Sequence, residues 1–249
     1  MPLLDVRNLS KRFGNVQAVK DFSITIKRGE IVGLVGPNGA GKTTAIECIT
    51  TIQNADSGQI YIEGYDVYTQ PEKAKAHIGF VPEIPALVPT LSVIEYIQVT
   101  AELFNAEDWK ERAEELLRGF SMQNKKNSYT WALSKGEKQK VAIISALAHS
   151  PNVLFLDEPL LGIDPHGAHY FKKLMRERAG AGCGILISSH VLSLIEDIAH
   201  RIMIMDSGTI VASGTLEELR RMAHEPGDLE NIFLKITGDG RNAHSNAHE

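Results

Sequence analysis

The chain has 249 residues, 26 of them basic and 31 acidic, giving a formal charge of −5. A hydrophobic fraction of 43% excludes wholesale disorder, and at about 150 residues per domain the length allows one or two domains with ample core. No run approaches the ~18 consecutive apolar residues of a membrane span, and the mildly acidic balance argues against a dedicated nucleic-acid partner. Met1–Asp5 lacks the basic start and apolar run of a signal peptide. Cys48 and Cys183 supply neither a disulfide framework nor a zinc site, which points to a reducing cytosol.

Leu3–Asn8 and Asp21–Ile26 alternate as strands, the second with Phe22, Ile24 and Ile26 on one face. Ile31–Val35 is a continuous apolar run, the pattern of a strand buried on both faces. It stops at a glycine-rich loop, and a helix is expected from about Lys42. Gln59–Glu63 and Ile78–Val81 read as further strands. Ser92–Phe104 and Asp108–Phe120 have helical spacing, so 82–134 is expected to form a helical subdomain. Val153–Leu156, Gly184–Ser188 and Ile202–Met205 are apolar strands separated by helical stretches, which implies βαβ units and a mostly parallel sheet. Leu229, Ile232, Phe233 and Ile236 fall at helical spacing, predicting a docked helix over 228–236. Residues 237–249 hold no large apolar side chain and are expected to form a loose tail.

Gly36-Pro37-Asn38-Gly39-Ala40-Gly41-Lys42-Thr43 matches G-x-x-x-x-G-K-[ST] in full. The glycines let backbone N–H groups turn inward onto phosphate oxygens, and the following helix presents its positive end to the same anion. Lys42 brings an ammonium to the β- and γ-phosphates, and Thr43 a hydroxyl to Mg²⁺. Further on, the strand Val153–Leu156 ends in Asp157 and Glu158. Asp157 is placed to hold Mg²⁺ through water, and Glu158 to polarise an attacking water. His166 and His169 lie at i, i+3 without a third ligand and read as surface histidines.

Between these two features stands Leu133-Ser134-Lys135-Gly136-Glu137-Lys138-Gln139, which resembles the signature segment of ATP-binding-cassette (ABC) ATPases. Pro159–Asp164 resembles the loop after the family's catalytic Glu, Ser189-His190 its switch histidine, and Lys11-Arg12-Phe13-Gly14 its adenine-stacking loop. The resemblance spans residues 3 to about 225. It implies an α/β fold, a P-loop NTPase cassette with a mixed and parallel sheet core, N-terminal antiparallel strands and an inserted helical subdomain. One cassette would fill 1–236, with a core of 1–81 and 135–225. It also implies that two cassettes, identical or different, pack head to tail around two ATP. Ser134 and the Gly136 N–H would then meet a γ-phosphate held in the partner's loop, with Thr44 and Asp164 also near nucleotide. His190 would hold Glu158 and water in place, and Phe13 would stack on adenine. The implied function is ATP hydrolysis driving a permease on a separate membrane-spanning chain, an exporter by the look of Asp228–Lys235. That places the protein on the cytoplasmic face of a membrane, with Ile84–Ile97 touching the permease.

Three positions depart from the family pattern. Glu83 stands where a Gln usually ligates Mg²⁺, so that role passes to a carboxylate, which hard cations favour. Lys135 replaces a Gly and Glu137 a Gln. A low-turnover, nucleotide-gated interaction module and a soluble ABC ATPase acting on a non-membrane partner are the competing readings.

Overall fold

In a computed structural model, described over residues 1–245, the chain opens with two long strands, β1 (Leu4–Phe13) and β2 (Val16–Ile26). Both outrun the alternation that announces them, because their hairpin projects into solvent. The apolar run forms β3 (Ile31–Val35), and α1 (Lys42–Ile49) follows the glycine loop. Next come β4 (Ser57–Ile62), the two-residue β5 (Tyr65–Asp66), α2 (Pro71–Lys75) and β6 (Ile78–Val81). The expected helices are α3 (Val93–Leu103), opened by a Ser92–Glu95 capping box, and α4 (Trp109–Gly119). Two 3₁₀ turns lead to α5 (Lys135–Ala148). The second half is β7 (Val153–Asp157), α6 (Pro165–Gly180), β8 (Gly184–Ser188), α7 (Leu192–Ile198), β9 (Arg201–Asp206) and β10 (Thr209–Gly214). Helices α8 (Leu216–Ala223) and α9 (Leu229–Ser245) close the fold.

The strands form a four-stranded sheet, β2-β1-β4-β5, and a six-stranded sheet, β10-β9-β3-β8-β7-β6. The first is antiparallel throughout. In the second, β6, β7, β8, β3 and β9 run parallel and only β10 is antiparallel. Helix α1 is held between the sheets: Ala45, Ile46 and Ile49 pack with Val32 and Leu34 of β3, Phe155 of β7 and the inner face of β1. The other face of the large sheet meets α3 to α7, where Ile31, Val35, Leu154 and Leu156 join Ile97, Leu117, Ile143 and Phe171. Strands β3 and β7 thus send alternate residues into two cores, which is why their sequences are apolar without a break. The same order sets the carboxyl ends of β3, β6, β7 and β8 side by side, at the edge where open parallel sheets bind ligands.

Two expectations need correction. Strand β10 was not foreseen, since Thr209–Gly214 has no deeply apolar face. Helix α9 continues to Ser245 instead of loosening at 237. Thr237 is buried and its Oγ1–H donates to Phe233 O (2.8 Å), so the docked face extends past the last large apolar side chain. The last residues of the expected tail, 246–249, lie outside the described residues. Cys48 and Cys183 are free and buried, and burial pushes both thiols up to about 11.

Candidate nucleotide site

The glycine loop joins β3 to α1 and curls over the N-terminus of that helix. Gly41 has φ of 103°, and a β-carbon on it would stand 2.1 Å from the Ala18 carbonyl oxygen. No other residue fits this approach of the loop to β2. Asn38–Thr44 line a cavity of about 690 Å³ together with Glu83, Asp157, Glu158 and His190. Four parts of the chain that are distant in sequence therefore meet where the sheet order predicts.

Lys42 is buried, and its Nζ donates to Gly36 O (2.8 Å) and Pro37 O (3.1 Å). Burial pulls its ammonium below the ordinary lysine range, against an upward pull from Glu158, Asp157 and Glu83. The cavity floor is thus one cation facing three carboxylates. Asp157 is buried and accepts a hydrogen bond from Ser188 Oγ of the adjacent β8. Glu158 leaves the strand in left-handed backbone, φ 48°, and its side chain is nearly buried. A non-glycine residue held this way is strained, and the surroundings fix it. Its N–H donates to Ser188 O (3.1 Å), and its Oε2 accepts from His190 Nδ1 (2.8 Å) and Ser189 Oγ (3.3 Å). His190 is half-exposed and links Glu158 to solvent.

The other sequence candidates lie elsewhere. Ser134 caps α5: its Oγ accepts from Glu137 N (3.3 Å), and Glu137 Oε2 accepts from Ser134 N (2.8 Å). Glu137 also pairs with Lys125 at 3.2 Å. Gly136 abuts the loop after Glu158, where a β-carbon would sit 2.0 Å from Gly162 O. Ser134, Lys135 and Gly136 stand clear of the cavity wall, the first two exposed and Gly136 half-buried.

Asp164 does not face the cavity. Its carboxylate accepts from Gly167 N (2.9 Å), capping α6, and from Lys140 Nζ. The Lys140 ammonium and the Gly167 N–H hold its carboxyl at about 2. Phe13 is exposed at the hairpin tip beneath the Lys11 ammonium, 5.2 Å from its ring, and of the hairpin it is Val16, Gln17 and Ala18 that line the cavity. Sequence reading missed the wall formed by Val16, Gln17 and Ala18 and by Ser207-Gly208, the turn between β9 and β10. That turn is tied to the glycine loop by Gly208 N–H donating to Ala40 O (3.0 Å). A Ser-Gly turn carries no signal of such a role.

The ABC transporter family model matches residues 19–161, a span that includes the glycine loop, the Ser134 segment and Asp157-Glu158. The chain belongs to this family. It is 34% identical over 224 residues to the lipopolysaccharide export system ATP-binding protein LptB of Haemophilus influenzae, covering 88% of this chain and 93% of that protein. The solved structure of an ATP-binding subunit of an ABC transporter superposes with a TM-score of 0.90 at 33% identity, over 94% of this chain and 99% of that one. The dimeric ATP-binding cassette MJ0796 bound to ADP and Pi gives 0.75 at 25% identity, over 86% and 98%. The protein is thus an ATP-binding cassette and an ATPase, the ATP-hydrolysing subunit of an ABC transporter.

Proposed function

We propose that this chain hydrolyses ATP in composite sites between two cassettes and drives a separate membrane-spanning permease. The observation that carries the reading is the separation of the site into halves. Loop, carboxylates and His190 line one cavity, while the exposed Ser134 and the half-buried Gly136 stand outside it at the start of α5. A second cassette, turned head to tail, brings its Ser134 hydroxyl, Gly136 N–H and helix N-terminus to the γ-phosphate. The dimer of MJ0796 with ADP and Pi supports this arrangement.

Within each half, the residues have separable tasks. The N–H groups of 38–43 and the Lys42 ammonium hold phosphate oxygens. Thr43, Asp157 and Glu83 form an oxygen-only donor set on one cavity, which fits a hard divalent cation such as Mg²⁺. The position of Lys42 against the same carboxylates supports a place for positive charge there. Bound Mg²⁺ would neutralise charge on the β- and γ-phosphates. Glu158 polarises the attacking water, and His190 and Ser189 fix its carboxylate. Seating the γ-phosphate draws the two cassettes together, and its release lets them part.

No helix among the described residues is long and apolar enough to cross a membrane, so the transport pathway is assigned to another chain. An apolar groove of about 470 Å³ between β6, α3 and α5, rimmed by the segment after Glu83, is the surface we assign to that chain. The exposed Ile84, Leu103 and Trp131 support it. The likeness to LptB favours export and a position on the cytoplasmic face of a membrane.

Subunit mixing tests the composite site. Lys42→Ala and Ser134→Arg should each be inactive alone. Mixed, they form heterodimers in which one site keeps both Lys42 and Ser134, and turnover should return. A mixture as inactive as its components would refute the proposal.

A further inference from the structure

Helix α5 is pinned along β6 at three points. At its C-terminal end, His149 Nε2–H donates to Ile78 O (2.8 Å). One turn back along the helix, Gly79 passes so close to the Ala146 carbonyl oxygen that a β-carbon would stand 2.7 Å from it. Toward the other end, Gln139 Nε2–H donates to Pro82 O (3.3 Å). The lengths agree. Ten residues from Gln139 to His149 span about 15 Å of helix, and four from Pro82 to Ile78 span about 13 Å of strand. Helix and strand therefore run side by side in fixed register, in opposite directions.

The Gln139 end of this register has functional neighbours on both sides. Pro82 immediately precedes Glu83, which lines the nucleotide cavity. Gln139 lies little more than one turn into α5, the helix that Ser134 caps. Its side chain is fully buried, and its Oε1 has no hydrogen-bond partner. A buried, unsatisfied amide oxygen is costly, and an aliphatic residue of the same length would avoid it. What an aliphatic residue cannot do is grip the Pro82 carbonyl. The Glu83 and Ile84 N–H groups, next after Pro82 in the chain, donate to no protein acceptor among the described residues.

We propose that Gln139 is a positioning residue for ATP hydrolysis: through the Pro82 carbonyl it fixes where the Glu83 carboxylate stands in the cavity, and it ties that position to the Ser134 end of α5. The proposal rests on reading Glu83 as a group of the metal and water site. It gives the amide a reason to be buried half-satisfied, and it makes α5 the rigid member between the cavity of one half-site and the Ser134 surface of the other.

A double-mutant cycle tests it. Gln139→Met keeps the length and removes both amide atoms. We expect kcat to fall about tenfold, inside the roughly hundredfold that a 1 Å displacement costs, with KM for ATP within about twofold of the parent. The melting temperature should not drop, because the unsatisfied oxygen leaves with the amide. Mn²⁺ affinity in the presence of ATP, read by electron spin resonance, should move in the direction that Glu83→Ala moves it. In a Glu83→Ala background, Gln139→Met should have no further effect on kcat. Gln139→Asn, a methylene too short to reach Pro82, should repeat these results, so the test does not depend on one variant folding. Additive losses in the double variant, or parental kinetics in both Gln139 variants, overturn the proposal while leaving Glu83 its role. Parental kcat and Mn²⁺ affinity in Glu83→Ala overturn the reading of Glu83, and this proposal with it.

Discussion

Gly136→Ala separates what the Ser134 segment does within one chain from what it does across the dimer. A β-carbon at 136 would lie 2.0 Å from Gly162 O and 2.9 Å from Gly162 C. Ordinary contact begins at 3.4 Å, so the two segments must part by more than 1 Å. Neither yields freely. The Gly162 loop runs into Asp164, whose carboxylate caps α6 and pairs with Lys140, itself on α5. Forcing a methyl into such a contact costs about 1–3 kcal/mol. At roughly 2–4 °C per kcal/mol for a chain of this size, the melting temperature should fall by about 2–12 °C. Calorimetric melting of the isolated chain checks this, with ATP binding measured by titration on the same sample. Binding should stay within about twofold of the parent, since Gly136 is outside the cavity. Turnover should drop sharply, because the displaced helix start no longer meets the partner's γ-phosphate. A melting temperature within 1 °C of the parent would refute the packing argument. A tenfold loss of ATP affinity in the isolated chain would refute the placement of the segment outside its own site.

Glu83→Gln should change the Mg²⁺ dependence of turnover while ATP affinity stays nearly constant, since it removes one charge from the cation side of the cavity. Superimposable Mg²⁺ titrations for parent and variant would show that Glu83 has no part in the metal site. Asp164 carries a pH signature. Its folded pKa of about 2 lies below the ordinary value of 3.8, so its stabilising contribution is complete above about pH 4 and is lost as the pH falls toward 2. Asp164→Asn should therefore melt at a lower temperature than the parent at neutral pH, and the gap should close between pH 4 and 2. A gap that is constant across that range would exclude the Lys140–Asp164 pair as its source.

What the sequence disclosed follows from how each feature is encoded. Strand β3, the glycine loop and Asp157-Glu158 are contiguous, and their chemistry is local: a doubly buried strand, a phosphate-binding turn and a charged strand end. Strand β10 and the Ser207-Gly208 wall were missed because an edge hairpin of ordinary turn residues gains its role only by closing over the loop. Phe13 is legible only through the resemblance of Lys11–Gly14 to an adenine-stacking loop, and its ring stands exposed at the hairpin tip. Val16, the first residue of β2, lines the cavity with no signal in the sequence for that role. Asp164 has the residue type of a phosphate-site group and equally that of a helix cap before Pro165, and in the single chain it caps α6. Gln139 closes the signature-like segment, but its hydrogen bond to a carbonyl 57 residues away is invisible in sequence. The extension of α9 was hidden because Thr237 completes a face that apolar periodicity alone ends at Ile236.

The central claim is that two copies of the cavity, each completed by the other chain's Ser134 segment, close around ATP and open when Glu158 has done its work. Glu158→Gln, sized by light scattering with and without Mg-ATP, tests it most directly. The variant should bind ATP, fail to turn it over, and shift from 27.4 kDa to twice that mass when Mg-ATP is added. A variant that stays at the monomer mass with ATP bound, or that hydrolyses ATP at the parent rate, would contradict the account.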